Sequence, residues 1–588
     1  MKNRRGTPHV LAVARGDAPA DLLLTGGTVF VPGTREWIRT DLAIADGVVA
    51  GWGPREAREV ADVSGAALTP GFIDAHMHLE STKLWVDEFV RAVLPLGTTA
   101  VAADPHEIAN VFGVRGVGAL AQAAAGLPFT FGICASSCVP ASPFESPGAQ
   151  VHAAEVTALL DEHGAIGVAE VMNYPGVISG DAELLAKIAA AGDRRVDGHA
   201  PGVTGPQLDA YLAAGVESDH ECTMLDEAEE KRRKGMWIFV RQGSASKNLA
   251  DLIPTVLRHG TERVALCSDD REPDTILDEG HVNDCVRLAV ACGVSVEDAL
   301  VLATSNPAQY HNLHHLGWLA PGYQADVLCF DTLDGIRPAR VYQAGQLVAS
   351  QGRAVAGAVP AVPAPDWMRE SVRLAGLPGP EALALDPPPG GRARVIGISP
   401  DTLTTEHLVL DVPDAVFDTP GSGPGGPGPE PDLARIAVAE RHLGTGRIGL
   451  GYVRGFGLTR GAIGSTVAHD AHNCMLVGAA GPGGPADMAV ALARLAELGG
   501  GQVAVLDGRV IAEVPLPIGG LMSDRPAAEV AAAVQHLEQI TAAELGVTID
   551  APFMHLSFLG LSVIPQLRIT DLGLVDVDRF ELTSVVAG

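Results

Sequence analysis

From about residue 69 to 316 the chain alternates short apolar runs with helix-like stretches, and this rhythm limits the folds open to it. Thr99-Ala100-Val101-Ala102-Ala103, Phe129-Thr130-Phe131-Gly132-Ile133, Ala165-Ile166-Gly167-Val168 and Val264-Ala265-Leu266-Cys267 are such runs, each ending beside polar or charged residues. Continuous apolar runs suit strands buried on both faces, and strand-helix alternation over this length fits a parallel (β/α)8 barrel. An open doubly wound sheet is the main rival, but no convincing Gly-rich phosphate loop follows an early strand.

Two β-rich stretches flank the alternating region. Residues 21–53 read as strands and turns, with Asp46-Gly47 as a hairpin signal, and a similar texture returns at 325–350. The economical reading is one small sheet domain assembled from both ends of a long insertion. The expected division is 1–68 plus 317–355 for this composite domain, 69–316 for the barrel, a Pro/Ala/Gly-rich linker at 356–395, and a mixed α/β domain at 396–588. Within the last, 420–431 is too rich in Gly and Pro for a helix or central strand and is expected to be a flexible loop. Pro485 to Leu498 reads as an amphipathic helix closed by Gly499-Gly500-Gly501.

A chain of 588 residues accommodates two to four domains, and 47% apolar residues are enough to fill their cores. Asp+Glu is 71 and Lys+Arg 41, so the net charge is −30, which argues against nucleic-acid or anionic-membrane partners. Eight cysteines without a CxxC pair suit a reducing compartment. The start, Met1 to Pro8, carries charge but no apolar segment after it, and no uncharged apolar run is long enough to span a bilayer. The expectation is a cytoplasmic protein.

The sharpest chemical signal is Pro70-Gly71-Phe72-Ile73-Asp74-Ala75-His76-Met77-His78-Leu79-Glu80. In a strand, residues i and i+2 share a face, so His76 and His78 can approach one metal at the C-terminal mouth of a barrel. Further candidates follow apolar runs in order: Glu170, His199, His220 and Asp269. Taken alone, each is more often a core or solvated residue. As a series after successive strands, they point to a metal site.

This order resembles the amidohydrolase superfamily of metal-dependent hydrolases. Asp104-Pro105-His106-Glu107-Ile108, Glu170-Val171-Met172-Asn173-Tyr174-Pro175-Gly176-Val177, Asp197-Gly198-His199 and Ser268-Asp269-Asp270-Arg271 are similar to the bacterial adenine deaminase family within it. Ser465-Thr466-Val467-Ala468-His469-Asp470-Ala471-His472-Asn473 and Val563-Ile564-Pro565-Gln566-Leu567-Arg568 resemble that family's C-terminal domain, so the likeness covers nearly the whole chain. It implies a (β/α)8 TIM barrel of the metal-dependent hydrolase type, with a small composite β-sandwich domain and a C-terminal mixed α/β domain.

The resemblance also implies a binuclear divalent centre. His76, His78, Glu170 and Asp269 would surround one metal, and Glu170, His199 and His220 the other, with Glu170 in place of the carboxylated lysine of many amidohydrolases. Imidazole and carboxylate ligands suit Mn²⁺, Fe²⁺ or Zn²⁺, and the family implies Mn²⁺ or Fe²⁺, with Mn²⁺ favoured. The implied reaction is attack of an activated hydroxide on C6 of adenine, giving hypoxanthine and ammonia. Asp269 would shuttle the proton and His220 would polarise the ring or share the proton traffic. Asp104 and His106, on a loop stiffened by Pro105, would contact the purine edge, and Glu80 reaches either the same pocket or a salt bridge. A homo-oligomer is also implied.

Arg271 is expected to hold the acidic loop, and Asp270 to stand behind the ligands. Cys134, Cys138, Cys222, Cys267, Cys285 and Cys292 read as small buried apolar groups. His469, Asp470 and His472 form a polar cluster assigned a structural or site-covering role, because no matching ligand set is evident nearby. Two other readings are a hydrolase of a cyclic amide or acylated amine with different pocket loops, and a non-catalytic scaffold that kept the fold. The uninterrupted ligand series opposes the second.

Overall fold

In a computed structural model the structure describes residues 6–387, 391–399, 402–412 and 432–587. The Gly/Pro stretch 420–431 lies outside them.

Eight parallel strands form a closed barrel: β1 (Phe72–Met77), β2 (Thr98–Ala103), β3 (Thr130–Ile133), β4 (Gly167–Val171), β5 (Arg195–Gly198), β6 (Ser218–Asp219), β7 (Trp237–Arg241) and β8 (Val264–Cys267). A parallel bridge from Ala135 to Val168 joins the third strand to the fourth, and one from Met77 to Asp269 returns the eighth to the first. Glu217 N donates to Val196 O at 3.0 Å, tying β5 to the segment entering β6. All residues of β1, β2, β4, β7 and β8 are buried, which explains why these strands read as apolar runs rather than alternating ones.

A seven-stranded sheet draws on both sides of the barrel sequence. Ala67–Pro70 pairs antiparallel with Val327–Phe330 and parallel with Thr28–Val31. A four-stranded sheet from residues 20–62 faces it, and Leu22, Leu24, Val29, Leu42, Ile44, Val327 and Tyr342 fill the space between. Residues 356–387 are mostly exposed or half-buried, with Val359, Ala364, Met368, Ser371 and Leu383 buried. Trp367 sets its ring edge against Phe112 at 5.0 Å and lies under the Arg115 guanidinium.

The C-terminal unit is built on an eight-stranded sheet, with helices Gly484–Leu498 and Ala527–Leu545 against it. It is fastened to the barrel through polar contacts. Ser146 Oγ donates to Asp571 Oδ2 at 2.7 Å, Asn473 Nδ2 to Ser146 O at 3.1 Å, and Trp85 N to Ser523 O at 2.9 Å. Among the described residues no helix is long and apolar enough to cross a membrane.

Candidate active site

The barrel brings six expected side chains to one mouth. His76 is the penultimate residue of β1 with its imidazole buried, and His78 follows two residues later on the same side. Glu170 stands near the end of β4, His199 and His220 directly follow β5 and β6, and Asp269 lies just beyond β8. Asp269 has φ +55°, a left-handed conformation rare for a side chain with a Cβ and typical of functional strain. Beneath it Asp74 accepts from Ser268 N at 3.0 Å and Ser268 Oγ at 2.6 Å, which fixes the turn that aims Asp269.

Glu170 divides its two oxygens between two sets of imidazoles. Oε1 lies 3.4 Å from His78 Nε2, while Oε2 lies 2.7 Å from His199 Nδ1 and 3.2 Å from His220 Nε2. Asp269 Oδ1 lies 3.1 Å from His78 Nε2 and 3.6 Å from His76 Nε2. The His76 and His220 rings stack at 4.0 Å. Burial raises the pKa of Glu170, but His199 and His220 outweigh it and hold the carboxyl well below its usual range. Burial acts likewise on Asp269, where Arg241 and the neighbouring histidines win.

This donor set fits divalent metal. His76 Nε2 and His78 Nε2 face each other at 3.2 Å, and among the described residues buried His199 Nε2 and His220 Nδ1, the ring nitrogens that do not face Glu170, have no hydrogen-bond partner. Four imidazoles and two carboxylates in so small a volume leave lone pairs that protons alone satisfy poorly and a cation satisfies well. The absence of thiolate suits Mn²⁺, Fe²⁺ or Zn²⁺ equally.

Above these groups is a narrow pocket lined by His78, His106, Glu170, His199, His220 and Asp269 from the barrel and by His469, Asp470 and Phe558 from the C-terminal unit. A larger, more open crevice beside Arg35, Asn306 and Trp318 is lined by one histidine and no carboxylate.

Residues 67–357 match the amidohydrolase family, and residues 414–581 match the adenine deaminase C-terminal domain. The chain is 42% identical over 579 residues to adenine deaminase 2 of Carboxydothermus hydrogenoformans, covering 98% of this chain and 99% of that one. It is 44% identical over 582 residues to an adenine deaminase of Cereibacter sphaeroides, covering 98% and 100%. The chain belongs to the adenine deaminase family. Among solved structures, N-acetyl-D-glucosamine-6-phosphate deacetylase of Mycobacterium smegmatis aligns with 56% of this chain and 100% of its own, at 23% identity and a TM-score of 0.42.

In this adenine deaminase family member the remaining expected residues occupy different depths. His106 lines the pocket, with Nδ1 3.2 Å from Asp104 Oδ2 and 3.5 Å from Glu170 Oε1. Asp104 sits behind it, within reach of Ser136 Oγ at 3.4 Å. Glu80 turns its Oε1 to the Ile108 N–H at 2.9 Å, at the start of the helix His106–Ala124, and does not line the pocket. Burial, with the nearby Glu107 carboxylate, pushes its pKa up to about 8.

Arg271 does not hold Asp269. It donates to Asp284 Oδ2 at 2.6 Å and to His281 O, away from the mouth. Arg241, at the end of β7, takes that role: Nη1 donates to Asp269 Oδ2 at 2.7 Å and the guanidinium also grips Glu221. The signal for it was present, since a cation closes the apolar run Trp237-Ile238-Phe239-Val240. The cluster around His469 also has partners after all. His469 Nδ1 is 3.0 Å from Glu107 Oε1, and Asp470 Oδ1 is 3.6 Å from His106 Nε2. More than 360 positions separate Glu107 from His469, so no local pattern connects them.

Proposed function

We propose that the chain converts adenine and water to hypoxanthine and ammonia. The division of Glu170 between two imidazole groups, 2.7 and 3.2 Å on one oxygen and 3.4 Å on the other, carries this reading, because a carboxylate with one oxygen toward each group could help hold two cations. His76, His78, Glu170 and Asp269 would hold one ion, and Glu170, His199 and His220 the other, with Mn²⁺ the preferred metal. When bound, such a pair supplies Lewis acidity that makes water a nucleophile at neutral pH.

The chain's own groups handle the protons and the substrate. Arg241 fixes Asp269 Oδ2, so Oδ1 is left facing the reacting centre, where it takes a proton from water and returns it to the departing nitrogen. Asp219 turns the segment that presents His220. Its Oδ2 accepts from buried Lys231 Nζ at 2.7 Å, and its Oδ1 accepts from Ala200 N at 2.9 Å. His106, backed by Asp104, stands beside Glu170 to meet the polar edge of the purine. All eight cysteines are free, which supports a cytoplasmic setting, and a homo-oligomer is the assembly proposed.

The test is turnover of adenine by protein loaded with Mn²⁺, Fe²⁺ or Zn²⁺, read as ammonia release with hypoxanthine identified by chromatography. Absence of turnover with all three metals would reject the reading, and size-exclusion chromatography with light scattering reads the assembly.

A further inference from the structure

The C-terminal unit contributes more than cover. Asp470 and His469 are consecutive residues, both buried and both lining the pocket. Asp470 commits Oδ1 to the side of His106 Nε2 at 3.6 Å, whereas Oδ2 is buried with no hydrogen-bond partner among the described residues. A buried carboxylate oxygen left unmatched is costly, and the cost falls when a ligand brings a donor.

Its neighbour is oriented to do the opposite. The His469 Nδ1 edge is held by Glu107 at 3.0 Å, and its ring lies flat on Phe558 at 4.4 Å. Glu107 is not part of the pocket lining, so the anchored edge of the imidazole points out of the pocket and Nε2 is the nitrogen left to face a ligand. His472 does not recruit a metal to this cluster: its Nδ1 accepts from Ala468 N at 3.1 Å, so its Nε2 carries the proton and cannot offer a lone pair.

We infer that Asp470 Oδ2 and His469 Nε2–H read the N9–H and N3 edge of a free purine base. On that edge a donor and an acceptor are attached to the same ring carbon, and the two adjacent residues present an acceptor and a donor to match. The inference rests on the reading of the site as one for adenine and names what selects the base. Asp470 is reached from Glu170 across the width of the His106 ring, so a purine with C6 beside Glu170 extends its five-membered ring toward Asp470. A sugar on N9 removes the hydrogen that Asp470 accepts and adds bulk where Phe558, Leu561 and Ile564 close the pocket. The C-terminal unit thereby excludes nucleosides.

The test compares wild type with Asp470→Asn, a change of the same shape, in metal-loaded full-length protein. Calorimetry reads the Kd of hypoxanthine and of 9-methylhypoxanthine, neither of which is turned over, and metal content is measured on the same samples. Exchanging the charged acceptor for a neutral amide is expected to weaken hypoxanthine by about 10-fold or more, while 9-methylhypoxanthine changes less than about 2-fold and metal content is unchanged. Equal effects on the two ligands, or none on either, would overturn the inference. If Asp470→Asn does not fold, His469→Gln is read instead with 3-deazahypoxanthine, which lacks N3: a loss confined to hypoxanthine supports the inference, and an equal loss overturns it. Adenine turnover by wild type, measured alongside, separates the two claims, because its absence rejects the function whereas normal turnover with equal Kd changes rejects only the role of this edge.

Discussion

His469 of the C-terminal unit lies 3.0 Å from Glu107 of the barrel, and each sets the charge of the other. Burial alone would lower the histidine's pKa, but the Glu107 carboxylate overcomes it and pushes it up to about 9. Burial alone would raise Glu107, but His469, with His472 and His106, holds it well below its usual range. The barrel thus keeps a cation on a residue of another domain, at the roof of the pocket.

Replacing Glu107 by Gln removes this hold. The pKa of His469, followed by NMR of ¹³C-labelled histidine, is expected to fall well below about 9, since burial is then opposed only by the more weakly acting Asp270 and Asp470. A value that stays near 9 would mean that Asp270 and Asp470, its other acidic neighbours, suffice.

Asp269→Asn keeps the shape of the side chain while removing the proton acceptor. Turnover of adenine is expected to drop by about 10²–10⁴-fold, the usual contribution of a general acid–base group. Steady-state kinetics on samples of measured metal content checks this; a loss below tenfold at full metal content would remove Asp269 from that role.

Glu170→Gln should affect metal before chemistry. A neutral amide cannot serve both imidazole groups as an anion, so bound metal is expected to fall from two equivalents to one or fewer, as read by inductively coupled plasma mass spectrometry. Retention of two equivalents would contradict a bridging Glu170.

Lys231 tests how the mouth is supported from below. Its ammonium is fully buried and donates to Asp219 Oδ2 at 2.7 Å, Glu227 Oε1 at 2.6 Å and Ala200 O at 2.7 Å. Lys231→Met strands two carboxylates and is expected to cost about 3–5 kcal/mol in denaturant unfolding. A cost below about 1 kcal/mol would mean that water reaches Asp219 and Glu227.

Glu145 gives a stability change with pH. Burial, with Asp470 nearby, raises its pKa to about 8, above the ordinary 4.5. The unfolded chain therefore ionises first, and the folded state loses stability as pH rises from about 4.5 to about 8, after which the loss is complete. Glu145→Gln removes that loss, so its unfolding free energy relative to wild type should climb across this window, by a few kcal/mol in order of magnitude. A difference that is flat from pH 5 to 8 would contradict a raised pKa.

Much of this molecule follows from local order in the chain. Apolar runs buried on both faces dictate strands that recur between helices, and the i, i+2 spacing of His76 and His78 places both on one side of the first strand. Glu170, His199, His220 and Asp269 are legible for the same reason, since a parallel barrel gathers every strand's C-terminal end at one rim. What no local pattern contains is the pairing of groups from distant parts of the chain. That Arg241 rather than Arg271 grips Asp269, that Glu80 turns to the N–H of Ile108, and that Glu107 meets His469 were settled by barrel closure and domain docking. Side-chain partners of this kind are chosen by proximity and by the cost of leaving a buried charge unmatched, and both exist only once the chain has folded.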